Sequence, residues 1–216
     1  MAGVSACFEL DIKKIVALST LSQLGVMMFS LSIGYCSLAF FHLIRHALFK
    51  ALLFISVGCV IHNHNDWQDF RSVRGLWSKI PLVGGCIILA GLALSGLPFL
   101  GGFYSKDLIV EGLLMGGFNL FLLVVVGLGL IITLVYSIRL FFKGVCGSFR
   151  VSVVQMRERL SIYEVAPMMC LGLLSTVGGY FLQSIVFEFG ELFLLEIGFK
   201  LFMTFVLVGR IFLRGV

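Results

Sequence analysis

Long apolar stretches separated by short polar connectors run the length of the chain and set its architecture before any single residue is weighed. Residues 15–35, 37–62, 80–116, 118–142, 162–183 and 191–213 each hold about twenty or more positions dominated by apolar side chains, the length a helix needs to cross roughly 30 Å of hydrocarbon. The pattern predicts an all-α polytopic membrane protein with about six transmembrane helices. Only Cys36 and Ser37 stand between the first two apolar runs, which should form a tight hairpin. The first span carries Ser19, Thr20, Ser22, Gln23, Ser30 and Ser32, so it is expected to face protein more than lipid. The sixth carries Glu191, Glu196, Lys200 and Arg210, and also fits a helix lying in the interface.

The third region is not a simple span. Its first part, IPLVGGCIILAGLALSGL, reads as helix, but Pro98 with Gly101 and Gly102 should break it near 98–102 before helix resumes over 104–115. Backbone groups freed inside hydrocarbon are costly unless protein or water covers them, and such breaks often line ion paths in transporters. Lys106 and Asp107 follow the break directly, which favours an ion path over a short interfacial turn.

Composition agrees with the pattern: 60% of residues are hydrophobic and 12% charged, against about a quarter charged in soluble domains. The first residues, MAGVSACFEL, lack the basic region of a signal peptide, so the first span is expected to insert and stay. Six cysteines, Cys7, Cys36, Cys59, Cys86, Cys146 and Cys170, lie far apart with no CxxC pair and no His at ligand spacing. They read as small buried hydrophobes, and no metal site is expected. The net charge of +5 comes with no basic run interleaved with aromatics, which argues against a nucleic-acid partner.

Six spans also sort the charges. One side of the membrane then receives Lys13, Lys14, Arg71, Arg74, Lys79, Lys143, Arg150, Arg157, Arg159 and Arg214, while the opposite connectors receive no Lys or Arg. The positive-inside rule makes the basic side cytoplasmic, or the matrix side in a mitochondrion. The organisation that follows is a unit over 1–142, a basic connector over 143–161, and two C-terminal helices over 162–216.

Charges inside the spans need another explanation. The second span reads SLAFFHLIRHALFKALLFISVGCVIH and holds His42, Arg45, His46 and Lys50. At four-residue steps on a helix, His42, His46 and Lys50 share one face at intervals of about 6 Å. An ionisable group in hydrocarbon costs several kcal/mol, and one buried His alone is more often structural than functional; three titratable groups on one face reverse that preference. Such groups can hand a proton along through hydrogen bonds and water. Lys106, beside the break, is a second candidate, with a snorkelling lysine paired to Asp107 as its bland alternative. Glu164 reads as a helix-start carboxylate and Tyr136 with Arg139 as an interfacial anchor. No nucleophile with its base, phosphate loop or redox centre is legible, so bond chemistry by this chain alone is not expected.

At these residues the chain resembles the antiporter-like subunit 5 family of respiratory complex I, NADH:ubiquinone oxidoreductase. The matching runs are DIKKIVALSTLSQLGVMM at 11–28, HLIRHALFKALLF at 42–54, IHNHNDWQDFRSVRGL at 61–76, LALSGLPFLGGFYSKDLIVE at 92–111 and VYSIR at 135–139. The resemblance implies the second of two inverted five-helix repeats, with the third region as its discontinuous helix. It implies a central proton relay at His42, His46 and Lys50, and an outlet lysine at Lys106. Arg45 and Asp107 are candidate modulators, and Arg45 departs from the small polar residue usual there. A guanidinium at that place could hold a carboxylate from another chain or bias the neighbouring titratable groups.

The resemblance further implies a proton-translocating part of an NADH:ubiquinone reductase in the mitochondrial inner membrane. On that reading this chain binds no cofactor, and NADH, FMN, Fe–S clusters and ubiquinone belong to other subunits. Its partners would be the lipid bilayer and other membrane-arm subunits, subunit 4 above all. The family's first repeat, lateral helix and final anchoring helix have no counterpart here, so a split form is expected, with a separate chain supplying the N-terminal part. The alternatives are a subunit of an Mrp-type cation/proton antiporter and a structural remnant that conducts no protons.

Overall fold

The computed structural model describes residues 1–63, 68–69, 76–97, 100–116, 120–145 and 161–186. They form a bundle of helices: α1 (Ala2–Phe8), α2 (Ile12–Ser32), α3 (Cys36–Asn63), α4 (Leu76–Lys79), α5 (Pro81–Ser95), α6 (Gly101–Met115), α7 (Leu120–Arg139) with a π-helical turn over Leu140–Val145, and α8 (Ile162–Val186). Four of these stretches are long and apolar enough to cross a membrane: Ile12–Ser32, Cys36–Asn63, Phe121–Phe142 and Ile162–Gly179. The predicted sixth span, 191–213, and connector residues 146–160 lie outside the described residues, as do Arg71, Arg74 and Arg214.

Helix α3 is the axis of the bundle, with α2, α5, α6 and α8 packed around it. Toward one end Phe49, Leu52, Leu53, Val57 and Val60 of α3 meet Val83, Ile87, Ala90 and Leu94 of α5, all buried. The small Ala90 and Ala93 let the α5 backbone come close, which is how helices gain packing energy where lipid offers no hydrophobic drive. Toward the other end Leu38 and Phe41 pack on Leu108 and Ile109 of α6.

The outer surface is apolar and much of the interior is not. Leu21, Leu24, Met28 and Leu31 stand exposed along α2, Phe121, Val124, Val125 and Leu128 along α7, and Leu173, Leu174, Val177 and Phe181 along α8. Rows of large apolar groups at helical spacing suit a hydrocarbon solvent. The polar residues of α2 do turn inward, for Ser19, Gln23 and Ser30 are buried, but the helix as a whole does not, since its opposite face is open. The buried hydroxyls close on their own helix: Ser19 Oγ donates to Val16 O at 2.7 Å and Ser30 Oγ to Met27 O at 2.8 Å. That removes their cost without a partner helix.

The hairpin between α2 and α3 turns through Ile33, Gly34 and Tyr35, with Tyr35 N–H donating to Ser30 O at 3.1 Å. At the opposite end of the pair, Ile12 N–H donates to Gln68 O at 3.1 Å, which ties the start of α2 to the segment after α3. Lys14 there pairs with Asp11 at 2.7 Å.

The third region is discontinuous. Helix α5 closes at Gly96, whose φ of +81° places it in the left-handed region. Gly96 N–H returns to Ala93 O and Leu97 N–H to Leu92 O, both at 3.3 Å, so the last carbonyls are satisfied inside the bundle. Helix α6 restarts at Gly101, and a Cβ on Gly102 would overlap the carbonyl oxygen of Ala93. The two half-helices thus meet backbone to backbone at the break.

Other sequence expectations need revision: Cys59 and Cys86 are buried, but Cys36 and Cys170 are exposed. Tyr136 is 1% exposed, its phenol facing Ser22 and Gln23 of α2, so it is an interior residue and not an interfacial anchor. Arg139 reaches across to donate to Cys7 O at the end of α1. Helix α1, which the sequence did not announce, packs on both α2 and α7 and covers these two residues. Glu164 behaves as a helix-start carboxylate: its Oε2 accepts from Ser161 N–H at 3.2 Å.

Candidate functional site

The α3 face that sequence spacing singled out is turned wholly inward. His42, His46 and Lys50 are all buried, as is Arg45 between them. The imidazole centroids of His42 and His46 are 6.1 Å apart and tilted, the separation that one helical turn imposes. Phe49 lies edge-on to His46 with centroids 5.6 Å apart and walls that ring on one side.

His42 joins three helices. Its Nε2 lies 3.2 Å from Gln23 Oε1 of α2, and its Nδ1 lies 2.9 Å from Ser105 Oγ of α6. A carbonyl oxygen only accepts, so Nε2 carries a proton and donates to Gln23. In the neutral ring Nδ1 then accepts from the Ser105 hydroxyl. In the protonated ring Nδ1–H donates to Ser105 Oγ, and that hydroxyl turns to Gly102 O, 3.5 Å away. Both protonation states are accommodated by the rotation of one hydroxyl, and an unmade buried hydrogen bond would otherwise cost about 1–3 kcal/mol.

The two lysines are held by different helices. Lys50 Nζ donates to Ser19 Oγ and, at 3.3 Å, to Val16 O, both on α2. Lys106 Nζ donates to Leu94 O on α5 and, at 3.1 Å, to Thr133 Oγ1 on α7. The Leu94 carbonyl stands at the C-terminal, negative end of a half-helix, which suits an ammonium. Lys106 does not snorkel, being 4% exposed. It is the charged neighbour common to His42, His46 and Lys50, so α6 brings the fourth candidate to the α3 row. Asp107, next in the chain, is half-buried.

Several participants carried no strong signal in the sequence. Gln23, Ser19, Ser105 and Thr133 were visible only as polar residues inside apolar runs. Glu111, buried on α6 a turn and a half beyond Lys106, is a carboxylate that sequence reading passed over, although an acid inside LIVEGLL was itself the available signal. Among the described residues no three His, Cys, Asp or Glu side chains gather in a way that could hold a metal. What the arrangement offers is a buried row of donors and acceptors that can change protonation with small movements.

Comparison with known proteins identifies the family. Residues 1–133 match the family model described as NADH:quinone oxidoreductase/Mrp antiporter, TM. The chain is 46% identical to NADH-ubiquinone oxidoreductase chain 5 of Aedes aegypti over 87% of its own length and 32% of that protein's. It is 42% identical to chain 5 of Mytilus edulis over 100% of its length and 38% of that protein's. The chain thus spans about a third of the curated relatives it matches. In fold it is similar to a chain of respiratory complex I from Thermus thermophilus, with a TM-score of 0.70, 24% identity, and coverage of 86% of this chain and 42% of that one. A helical membrane bundle with a broken third span, a family model covering more than half the chain and relatives of this similarity lead to one conclusion: the chain belongs to the NADH:quinone oxidoreductase/Mrp antiporter transmembrane family.

Proposed function

We propose that the chain is a proton-translocating membrane-arm component of NADH:ubiquinone oxidoreductase, and that His42, His46, Lys50 and Lys106 carry the proton. The observation that bears most weight is His42, whose contacts with Gln23 and Ser105 accept both the neutral and the protonated ring. A group built to hold either state can receive a proton from one neighbour and release it to another. Lys50 and Lys106, each bonded to a hydroxyl on a different helix, are the donors and acceptors on either side. Glu111 lies along α6 in the direction of the α2–α3 hairpin, where Tyr35 Oη donates to Gly112 O at 3.0 Å, and offers a further stop.

In this reading the chain performs no redox chemistry. Oxidation of NADH by FMN and Fe–S clusters and reduction of ubiquinone occur in other subunits, and their energy drives the transfer. The chain works beside subunit 4 in the mitochondrial inner membrane, basic connectors toward the matrix. The part of subunit 5 that this sequence does not span is contributed by further polypeptide. The two curated relatives named above, each chain 5 of an NADH-ubiquinone oxidoreductase, support this reading over a cation/proton antiporter.

The test is Lys50→Met and Lys106→Met in the assembled complex. Proton translocation coupled to NADH oxidation is expected to fall while the complex still assembles. Undiminished translocation in an assembled double variant would instead mark the chain as a structural, non-conducting component.

A further inference from the structure

The helix break treats two buried cations oppositely. Lys106 lies at the carbonyl end of α5, where Leu94 O accepts from it. The Arg45 guanidinium lies at the amino end of α6. A Cβ on Gly101 would overlap Arg45 Nη2 and stand 2.7 Å from Cζ, and a Cβ on Gly179 of α8 would overlap Nη1 and stand 2.6 Å from Nη2. The guanidinium therefore fills the space that these two glycines leave. Gly101 is the first residue of α6, a 15-residue helix whose N-cap Leu100 makes no side-chain capping bond. Phe103 N–H turns back to Leu100 O at 3.1 Å, which leaves the N–H groups of Gly101 and Gly102 without an intrahelical acceptor, and that end carries about half a positive charge.

Arg45 is 1% exposed, and neither Nη1 nor Nη2 has a hydrogen-bond partner among the described residues. Two positive ends therefore meet in a buried place where the acceptors at hand, the Tyr104 hydroxyl and the Ser175 carbonyl beside Gly101, do not bond Nη1 or Nη2. No help comes from α3, which has no acidic residue, the one acid of α8, Glu164, is engaged by Ser161 at the helix start, and Asp107 and Glu111 of α6 lie more than a turn and a half beyond its first residue. A carboxylate answers both sets of donors, because its two oxygens match the planar fork of a guanidinium and can also take helix N-terminal N–H groups.

We propose that Arg45 and the first turn of α6, walled by Gly101 and Gly179, form a binding site for one Asp or Glu carboxylate of a polypeptide segment packed at this end of the break. A tethered carboxylate is favoured over a free ion because the surrounding helices face hydrocarbon. A side chain arrives as its segment folds, whereas a free ion must leave water and cross an apolar layer. The segment is one of another subunit, and an acid from elsewhere in this chain is the other outcome of the test. The site does not depend on whether the chain moves protons.

Electron cryo-microscopy of the assembled complex tests it directly. A carboxylate within about 3 Å of both Nη1 and Nη2 is expected, and the chain that carries it separates the two sources. A free ion or water alone at the guanidinium overturns the proposal. A second measurement has opposite signs in the two cases. With a carboxylate present, Arg45→Thr strands a buried negative charge, and the amount of assembled complex falls about ten-fold or more; changing the identified acid to its amide restores it. Without one, Arg45→Thr only removes an unpaired charge, and unchanged or increased assembly overturns the proposal.

Discussion

Lys106 on α6 donates to the carbonyl oxygen of Leu94 on α5, a residue on the far side of the break that divides the two half-helices. The carbonyl gains a donor that its own helix cannot supply, and the ammonium gains an acceptor at a negative helix end. The lysine and the break therefore support each other, and both rely on glycines that let the strands of backbone approach.

Those glycines separate into two kinds. Gly96 needs its left-handed φ of +81°, and a Cβ there would make only ordinary contact with Lys106 Cδ at 3.6 Å. Gly96→Ala is expected to lower stability by about 1–2 kcal/mol, the cost of that conformation in an L-residue. Gly102→Ala would drive a Cβ into the Ala93 carbonyl, where no flexible side chain can yield, and is expected to abolish assembly. Thermal melting and native-gel analysis of the two variants should rank them in that order.

The hydroxyl of Ser105 is the part of the His42 site that must turn when the ring changes protonation. Ser105→Ala is expected to slow coupled proton transfer on the order of ten-fold without loss of the complex. Ser30→Ala serves as the control, since among the described residues its hydroxyl bonds within its own helix, at Met27 O. Proton uptake by membrane vesicles oxidising NADH measures both.

Gly179 and Arg45 compete for one volume. Gly179→Ala alone should destabilise by about 1–3 kcal/mol through overpacking, and the same change in an Arg45→Thr background should cost little. A double-mutant cycle on melting temperature should therefore give a coupling of similar size. Independent, additive effects would show that the guanidinium does not occupy the slot.

Arg139 holds the end of α1 through Cys7 O. Arg139→Ala is expected to cost about 2 kcal/mol, as a lost charge-assisted hydrogen bond does, and to release α1 from α7. Faster amide exchange or proteolysis within residues 2–8, with α2 unaffected, would record it.

Much of the candidate site was legible before the fold. Pro98, Gly101 and Gly102 mark the discontinuity because proline and glycine act on the backbone locally, and the His42, His46, Lys50 face follows from helix period alone. Tyr136 misled for a physical reason: an aromatic near the end of an apolar run looks like a headgroup anchor, and only the packing of α1 and α2 over it makes it interior. Helix α1 itself, seven residues between Met1 and Glu9, is too short to leave a periodic signature.

What the sequence by itself determined are the one-dimensional quantities: span lengths, the position of the break, and which residues of one helix share a face. These follow from a rise and a turn angle that every residue obeys. What only the tertiary structure decided is which helix each polar group meets. His42 finds Ser105 and Gln23, Lys106 finds Leu94 and Thr133, and Arg45 finds the space left by Gly101 and Gly179. Those pairings depend on how several helices settle against one another at close-packed distances, a property of their combined shapes that no single run of residues contains.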